Sequence, residues 1–297
     1  MSATEVAVAE RDSNRIIELQ LSERAELIEK ASNADFIAYL GPMFPPADDQ
    51  IKDVVEAVSP RRPSLLILLE TGGGFVSVSE RVARIFRHHY ERVEFIVPSH
   101  AMSAGTVLVM SGDAIHMDYA SVLGPIDPQI PKNGNLVPAL GYLEQFERLI
   151  KKSEEGNLTT AELAYLLQNF DPAELYRYEQ ERELSIALLE DWLVNFKFKN
   201  WTTTEGAGVE VTEEMRRERA QEVGRKLNET GRWHSHNRGI PMEVLRRDLK
   251  LLIEDFGAND ALRGPVHDYY RLLKDYAMRR THDEGFVLHT KESYVGF

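Results

Sequence analysis

Ser103, Gly73, Gly74 and Ala104 have the types and spacing that acyl transfer needs. Ser103, within His100-Ala101-Met102-Ser103-Ala104-Gly105-Thr106, is a hydroxyl nucleophile set among small residues. Gly73 and Gly74, within Thr71-Gly72-Gly73-Gly74, reach backbone shapes closed to other residues and can turn their amide N–H groups toward a ligand. A serine presented where a helix begins lies beside free amides and the positive end of the helix dipole. Placed together, the two turns supply a nucleophile and, from the amides of Gly73, Gly74 and Ala104, an oxyanion hole. Each stretch alone is also an ordinary turn or helix start. Their combination points to chemistry.

Elements on either side must bring these turns together. Leu65-Leu66-Ile67-Leu68-Leu69 and Val93-Glu94-Phe95-Ile96-Val97 are short apolar runs bounded by turn formers, and so read as buried strands. Between them Val78, Val82, Ile85 and Phe86 fall at helical spacing. Strand, Gly-rich turn, helix, strand, Ser-bearing turn and helix describe a parallel α/β unit. Upstream, a short segment from Ser13 leads to a helix starting near Ser22, then a strand over Phe36–Leu40 and a helix over Ala47–Val58. Downstream come a helix to Met110 and a strand over Ala114–Met117, where His116 reads as a half-buried structural histidine. Leu136 to Trp201 reads as helical, with a long helix over Leu175–Phe198, and Trp201–Val211 as a connecting loop. Helices follow over Glu213–Leu227 and Met242–Phe256. An aromatic helix carrying Tyr269, Tyr270, Leu272, Leu273 and Tyr276 precedes a strand at Phe286–His289.

The 297 residues, 43% hydrophobic and 28% charged, suit one large domain or one domain with an appendage. A net charge of -13 argues against nucleic-acid or anionic-membrane partners, which need a basic surface. Without cysteine the chain has no disulfide, thiolate metal site or thiol nucleophile, which is compatible with a cytoplasmic location. Met1–Asn14 has no apolar core, so neither a signal peptide nor a membrane span is expected. His88-His89 and His234-Ser235-His236 have no carboxylate or thiol at liganding spacing, so neither a metal nor another cofactor is expected.

The chain resembles the Clp protease/crotonase superfamily, and within it the signal-peptide-peptidase-A-like serine peptidases. The branch it most resembles is called serine dehydrogenase proteinase. The resemblance rests on Thr71-Gly72-Gly73-Gly74, where Gly72 takes the place of the family's proline, on Ala101–Thr106 around the nucleophile, and on Val122-Leu123-Gly124-Pro125-Ile126-Asp127-Pro128-Gln129. Gly231-Arg232-Trp233 is a weaker match. It implies an α/β fold with a crotonase/Clp-protease-like core of repeated ββα units, a helical insertion and a helical C-terminal extension. The implied division is an N-terminal arm and helix over 1–34, a catalytic core over 35–135, a helical segment with a flexible loop over 136–230, and the extension over 231–297. It also implies a peptide or protein substrate, a homo-oligomer with contact surface from the aromatic C-terminal helix, and a place for Asp127 in the site.

A serine hydroxyl needs a base to accept its proton. The resemblance implies either a histidine a strand and turn beyond the serine, where this chain has Gly124, Pro125 and Asp127, or a lysine on a later helix. For the lysine the chain offers Lys132, Lys151 and Lys152, with Lys151 preferred because it continues the Phe146–Ile150 helix. The long helix carries Arg182, which stays protonated and cannot serve. His100, three residues before Ser103, is a further candidate. The expected function is that of a serine peptidase. The alternatives are an impaired pseudo-peptidase that keeps the fold as an oligomeric binding or scaffold protein, and an acyl-CoA-handling crotonase relative.

Overall fold

A computed structural model describes residues 3–127, 129–132, 135–204, 206, 208–280 and 285–296. The chain opens with α1 (Ala3–Ser32), β1 (Asp35–Leu40), α2 (Ala47–Ala57), β2 (Ser64–Glu70), α3 (Val76–His89) and β3 (Arg92–Ile96). Next come β4 (His100–Ala101), α4 (Ala104–Val109), β5 (Ala114–Met117), β6 (Val122–Leu123) and a hairpin of β7 (Gln129–Lys132) with β8 (Asn135–Pro138). Helices α5 (Ala139–Glu154), α6 (Thr160–Asn169) and α7 (Pro172–Trp192) follow, and α7 runs into a π-helical turn, Leu193–Lys197. The rest comprises α8 (Glu213–Asn228), α9 (Thr230–Trp233), β9 (Ile240–Pro241), α10 (Met242–Asp248), β10 (Glu254–Asp255), α11 (Asp260–Arg280), β11 (Val287–His289) and β12 (Tyr294–Gly296).

Two sheets matter for the site. The larger has seven strands in the order β10-β5-β3-β2-β1-β11-β12, parallel from β10 to β1 and antiparallel beyond. Strand β2 is apolar from Leu65 to Leu69 because both of its faces are covered. Ile37, Tyr39, Leu65, Ile67, Leu69, Val93 and Phe95 face α2 and α3, while Phe36, Ala38, Leu66, Leu68 and Ile96 face α1 and α11. The period of two along each strand thus separates two helical layers. The second sheet is small, ordered β4-β6-β9, with β4 parallel to β6 and β9 antiparallel to it.

The mixed α/β architecture with a central sheet agrees with the expected fold class. Several local expectations are corrected. One continuous helix, α1, covers the stretch read as a segment and a separate helix, because Leu21, Ala25 and Ile28 anchor it against the sheet. The stretch read as helical from Leu136 begins as β8. The helix expected to reach Phe256 ends at Asp248: Leu249 and Leu251 both donate to the Leu245 carbonyl, and Lys250 takes φ +51°. Arg246 then holds the Ile253 carbonyl, and the chain turns into β10. The aromatic face of α11, expected to supply contact surface, is buried: Tyr269, Leu273 and Tyr276 pack in the layer with α1. Pro128 and, in the expected loop, Glu205 and Ala207 lie outside the described residues.

Candidate active site

Backbone pairing lays the glycine turn beside the serine turn. Thr71, buried at the end of β2, forms a parallel bridge with Ala101: its N–H donates to the His100 carbonyl at 3.1 Å, and its carbonyl accepts from Met102 N–H at 3.0 Å. A side chain on Gly105 would collide with Thr71, its Cβ falling 2.2 Å from Thr71 Cγ2, so this approach requires glycine. Gly73 takes φ +102°, and a Cβ there would lie 2.9 Å from both the Met102 carbonyl oxygen and Ser103 Cβ. Gly73 and Ser103 are therefore in contact, within reach of one reacting carbonyl.

Ser103 sits on a strained elbow. As the residue preceding α4 it adopts φ +50°, ψ −118°, a region that residues with a Cβ rarely occupy. Such strain persists only where the surroundings impose it, and it gathers at functional sites. The side chain is half-buried, and among the described residues its hydroxyl makes no hydrogen bond. The amides divide unequally. Gly73 N–H donates to Thr71 Oγ1 at 3.0 Å, so its donor is engaged within the turn. The N–H groups of Gly74 and Ala104 meet no acceptor among the described residues.

Thr106 ties this elbow to the next strand end. Its buried hydroxyl lies 2.7 Å from the Ala101 carbonyl oxygen and 3.0 Å from that of Gly124, and accepts from Gly124 N–H at 2.9 Å. Gly124 also donates to the Ala101 carbonyl at 3.1 Å. Beyond Gly124 the chain delivers Asp127, whose side chain is fully buried. Asp127 Oδ1 accepts a hydrogen bond from His236 Nδ1 at 2.9 Å.

The other sequence candidates lie elsewhere or are engaged. His100 Nδ1 meets the neighbouring Ser99 Oγ at 3.0 Å. Lys151 is exposed near the end of α5, a helix that packs with α7 around Leu143, Leu175 and Tyr178. Lys152 pairs with Glu162 at 2.5 Å, and Lys132 lies in β7. His116 Nε2 meets Glu94 Oε2 at 2.7 Å, as a structural histidine would. Among the described residues no group of three or more His, Cys, Asp or Glu is arranged to hold a metal, and no helix is long and apolar enough to cross a membrane.

Sequence reasoning missed the pairing of His236 with Asp127. Asp127 and His236 are 109 residues apart, and neither lies in a periodic segment that reveals its partner. The one signal was Gly231-Arg232-Trp233 just upstream. Trp233 is buried and donates from Nε1 to the Lys226 carbonyl at 2.7 Å, which anchors the loop carrying His236 to α8.

The central parallel sheet, with the glycine turn laid against the serine turn at its strand ends, has the mixed α/β arrangement of the Clp-protease-like fold class. The profile of the ClpP-like SDH-type serine proteinases matches residues 11–166, more than half of the 297-residue chain, and the chain belongs to that family. Two uncharacterized proteins of Methanocaldococcus jannaschii are similar in sequence. One is 30% identical over 149 residues, 47% of this chain and 51% of the relative. The other is 29% identical over 115 residues, 38% of each. The chain thus spans about half or less of the length of these relatives. Among solved structures, the 1510-N membrane-bound stomatin-specific protease, as a serine-to-alanine variant, aligns with a TM-score of 0.42 and 12% identity over 76% of this chain and 79% of that one. The ClpP protease catalytic domain of Plasmodium falciparum gives a TM-score of 0.28 and 13% identity over 30% and 53%.

Proposed function

We propose that this protein hydrolyses peptide bonds with Ser103 as nucleophile. The observation that carries the reading is the contact between Gly73 and the strained Ser103 elbow, with the Gly74 and Ala104 amides free beside it. Ser103 Oγ attacks the scissile carbonyl carbon while its proton passes to a base. The carbonyl oxygen, now an oxyanion, takes the Gly74 and Ala104 N–H groups, and Gly73 shapes the turn instead of donating. Collapse expels the amine with a proton, leaving an acyl-enzyme that water hydrolyses. Two donors of this kind are each worth about 10²–10³ in rate. A fluorophosphonate probe should label the wild-type chain at Ser103 and leave Ser103→Ala unlabelled. A properly folded wild-type chain that never labels is a pseudo-peptidase.

We also propose that the chain assembles with copies of itself. The surface for this lies on α6, not on α11: Leu163, Tyr165 and Leu167 are exposed, Leu167 at 72%. Light scattering at micromolar concentration should give a multiple of the chain mass, reduced by Leu167→Glu. A monomeric wild type would refute assembly.

A further inference from the structure

We propose that Phe44 and Phe75 set the specificity of the Ser103 site by holding an aromatic side chain of the substrate peptide beside the scissile bond; this rests on the peptidase reading above. The two rings are in contact, with centroids 5.1 Å apart and planes at 59°, yet they remain 47% and 57% exposed. Backbone bonds place them at the glycine turn. Met43 N–H donates to the Gly73 carbonyl at 2.8 Å, and the Met43 carbonyl accepts from Phe75 N–H at 2.9 Å. Met43 thereby forms a parallel bridge with Gly74, and Phe44 and Phe75 each follow one partner of that bridge. In such a pairing the N–H of Gly74 itself faces the opposite edge, where Thr71 meets Ala101. Ser79, one turn along α3 from Phe75, donates from Oγ to the Ala104 carbonyl at 2.9 Å. That bond ties the aromatic wall to the residue after Ser103.

The pair is fixed in place on both sides. The Phe44 carbonyl accepts from Ala47 N–H at 2.9 Å where α2 starts, and the Phe75 carbonyl from Val78 N–H at 3.1 Å and Ser79 N–H at 3.3 Å where α3 starts. Arg81 of α3 pairs with both Asp48 and Asp49 of α2, so the two helices hold one geometry. Two exposed rings in contact beside a reactive turn make an apolar patch of the kind that lines ligand grooves. An extended peptide advances ~3.3 Å per residue. With its scissile carbonyl at Gly74 N–H, a ring on the very next residue reaches the side chain one or two positions from the cleaved bond. Inclined rings leave a face and an edge for a third ring, and that edge-to-face contact adds to the gain from buried area. An aliphatic side chain gains the area alone. The occupant is therefore a Phe, Tyr or Trp of an extended peptide.

A peptide library varied over the two residues on either side of the cleaved bond tests this. Wild type should favour Phe, Tyr or Trp at one of those positions, by about 10-fold in kcat/KM over alanine and about 2–10-fold over leucine. Phe44→Leu and Phe75→Leu keep an apolar surface but remove a ring each. Each should lower the aromatic-to-leucine ratio, and the two together should bring it to about 1. Labelling of Ser103 by a small fluorophosphonate shows that each variant keeps an intact site, and because both side chains are exposed the variants should melt with wild type. A wild type that labels and cleaves without aromatic preference overturns the proposal and leaves the peptidase reading standing. A preference that survives both substitutions does the same. So does a loss of assembled mass in light scattering with selectivity unchanged, which would make the pair a contact between copies. A wild type that neither labels nor cleaves ends both readings.

Discussion

Ser103→Gly is expected to abolish peptide hydrolysis and at the same time raise the stability of the fold. The loss follows from removing the proposed nucleophile: in serine peptidases that act through a coupled nucleophile and base, kcat falls by about 10⁴–10⁶. The gain follows from the backbone. Ser103 is held at φ +50°, ψ −118°, where a Cβ costs about 1–3 kcal/mol. Glycine relieves that cost and gives back about 0.5–1 kcal/mol through its freer unfolded chain. A net gain of about 1 kcal/mol remains, a rise in thermal midpoint of about 2–4 °C. Ser103→Ala keeps a Cβ, so it should lose activity without that gain. Thermal melts of the three chains, with a peptide assay, decide the matter. A Ser103→Gly chain that melts below Ser103→Ala removes the case for strain at the elbow.

Asp113→Ala is expected to cost about 3 kcal/mol of stability, far from the site. Asp113 closes the turn between α4 and β5, and its side chain is 3% exposed. Its Oδ2 accepts from Arg87 at 2.7 Å and from Val93 N–H at 2.9 Å, and Lys199 pairs with Oδ1. Arg87 is itself 13% exposed, with its guanidinium carbon 3.7 Å from the centre of the Phe196 ring. Removing the carboxylate therefore strands a largely buried cation, a mechanism that costs more than most single substitutions. Burial alone pushes the Asp113 carboxyl up, but Lys199, the Val93 amide and Arg87 together hold it below the ordinary carboxylate range. The folded pKa is thus lower than the unfolded one. The contribution is present above the unfolded value and drains away as pH falls below about 4. Denaturant midpoints should show a large wild-type advantage at neutral pH that narrows below pH 4. An advantage independent of pH in that range would contradict the ion-pair account.

Residue patterns that act over short distances were legible in the sequence. The apolar run at Leu65–Leu69 meant a strand covered on both faces, and the spacing of Val78, Val82 and Phe86 meant a helix, because each signal lies within one element. Glycine at 73 and serine at 103 stood out because turns demand particular residue types locally. The hairpin of β7 and β8 was missed because its short strands, Gln129–Lys132 and Asn135–Pro138, carry prolines that argue against strands. The end of α10 was missed because Val244, Leu245, Leu249, Leu252 and Ile253 keep a helical spacing through a chain that has already turned.

The sequence by itself determined the parallel βα frame, the serine turn after β4 and the glycine turn that faces it. The tertiary structure decided which amides are free, since Thr71 engages the Gly73 donor and leaves Gly74 and Ala104. It also decided which imidazole stands by Asp127. That choice rests on β4, β6 and β9, strands of two residues each, too short for any periodicity to register. Their pairing is set by the burial of Leu123 and Ile240 in the core and by Trp233 anchoring the returning loop on α8. Contacts between segments over 100 residues apart follow from how the whole core closes, and no local pattern encodes them.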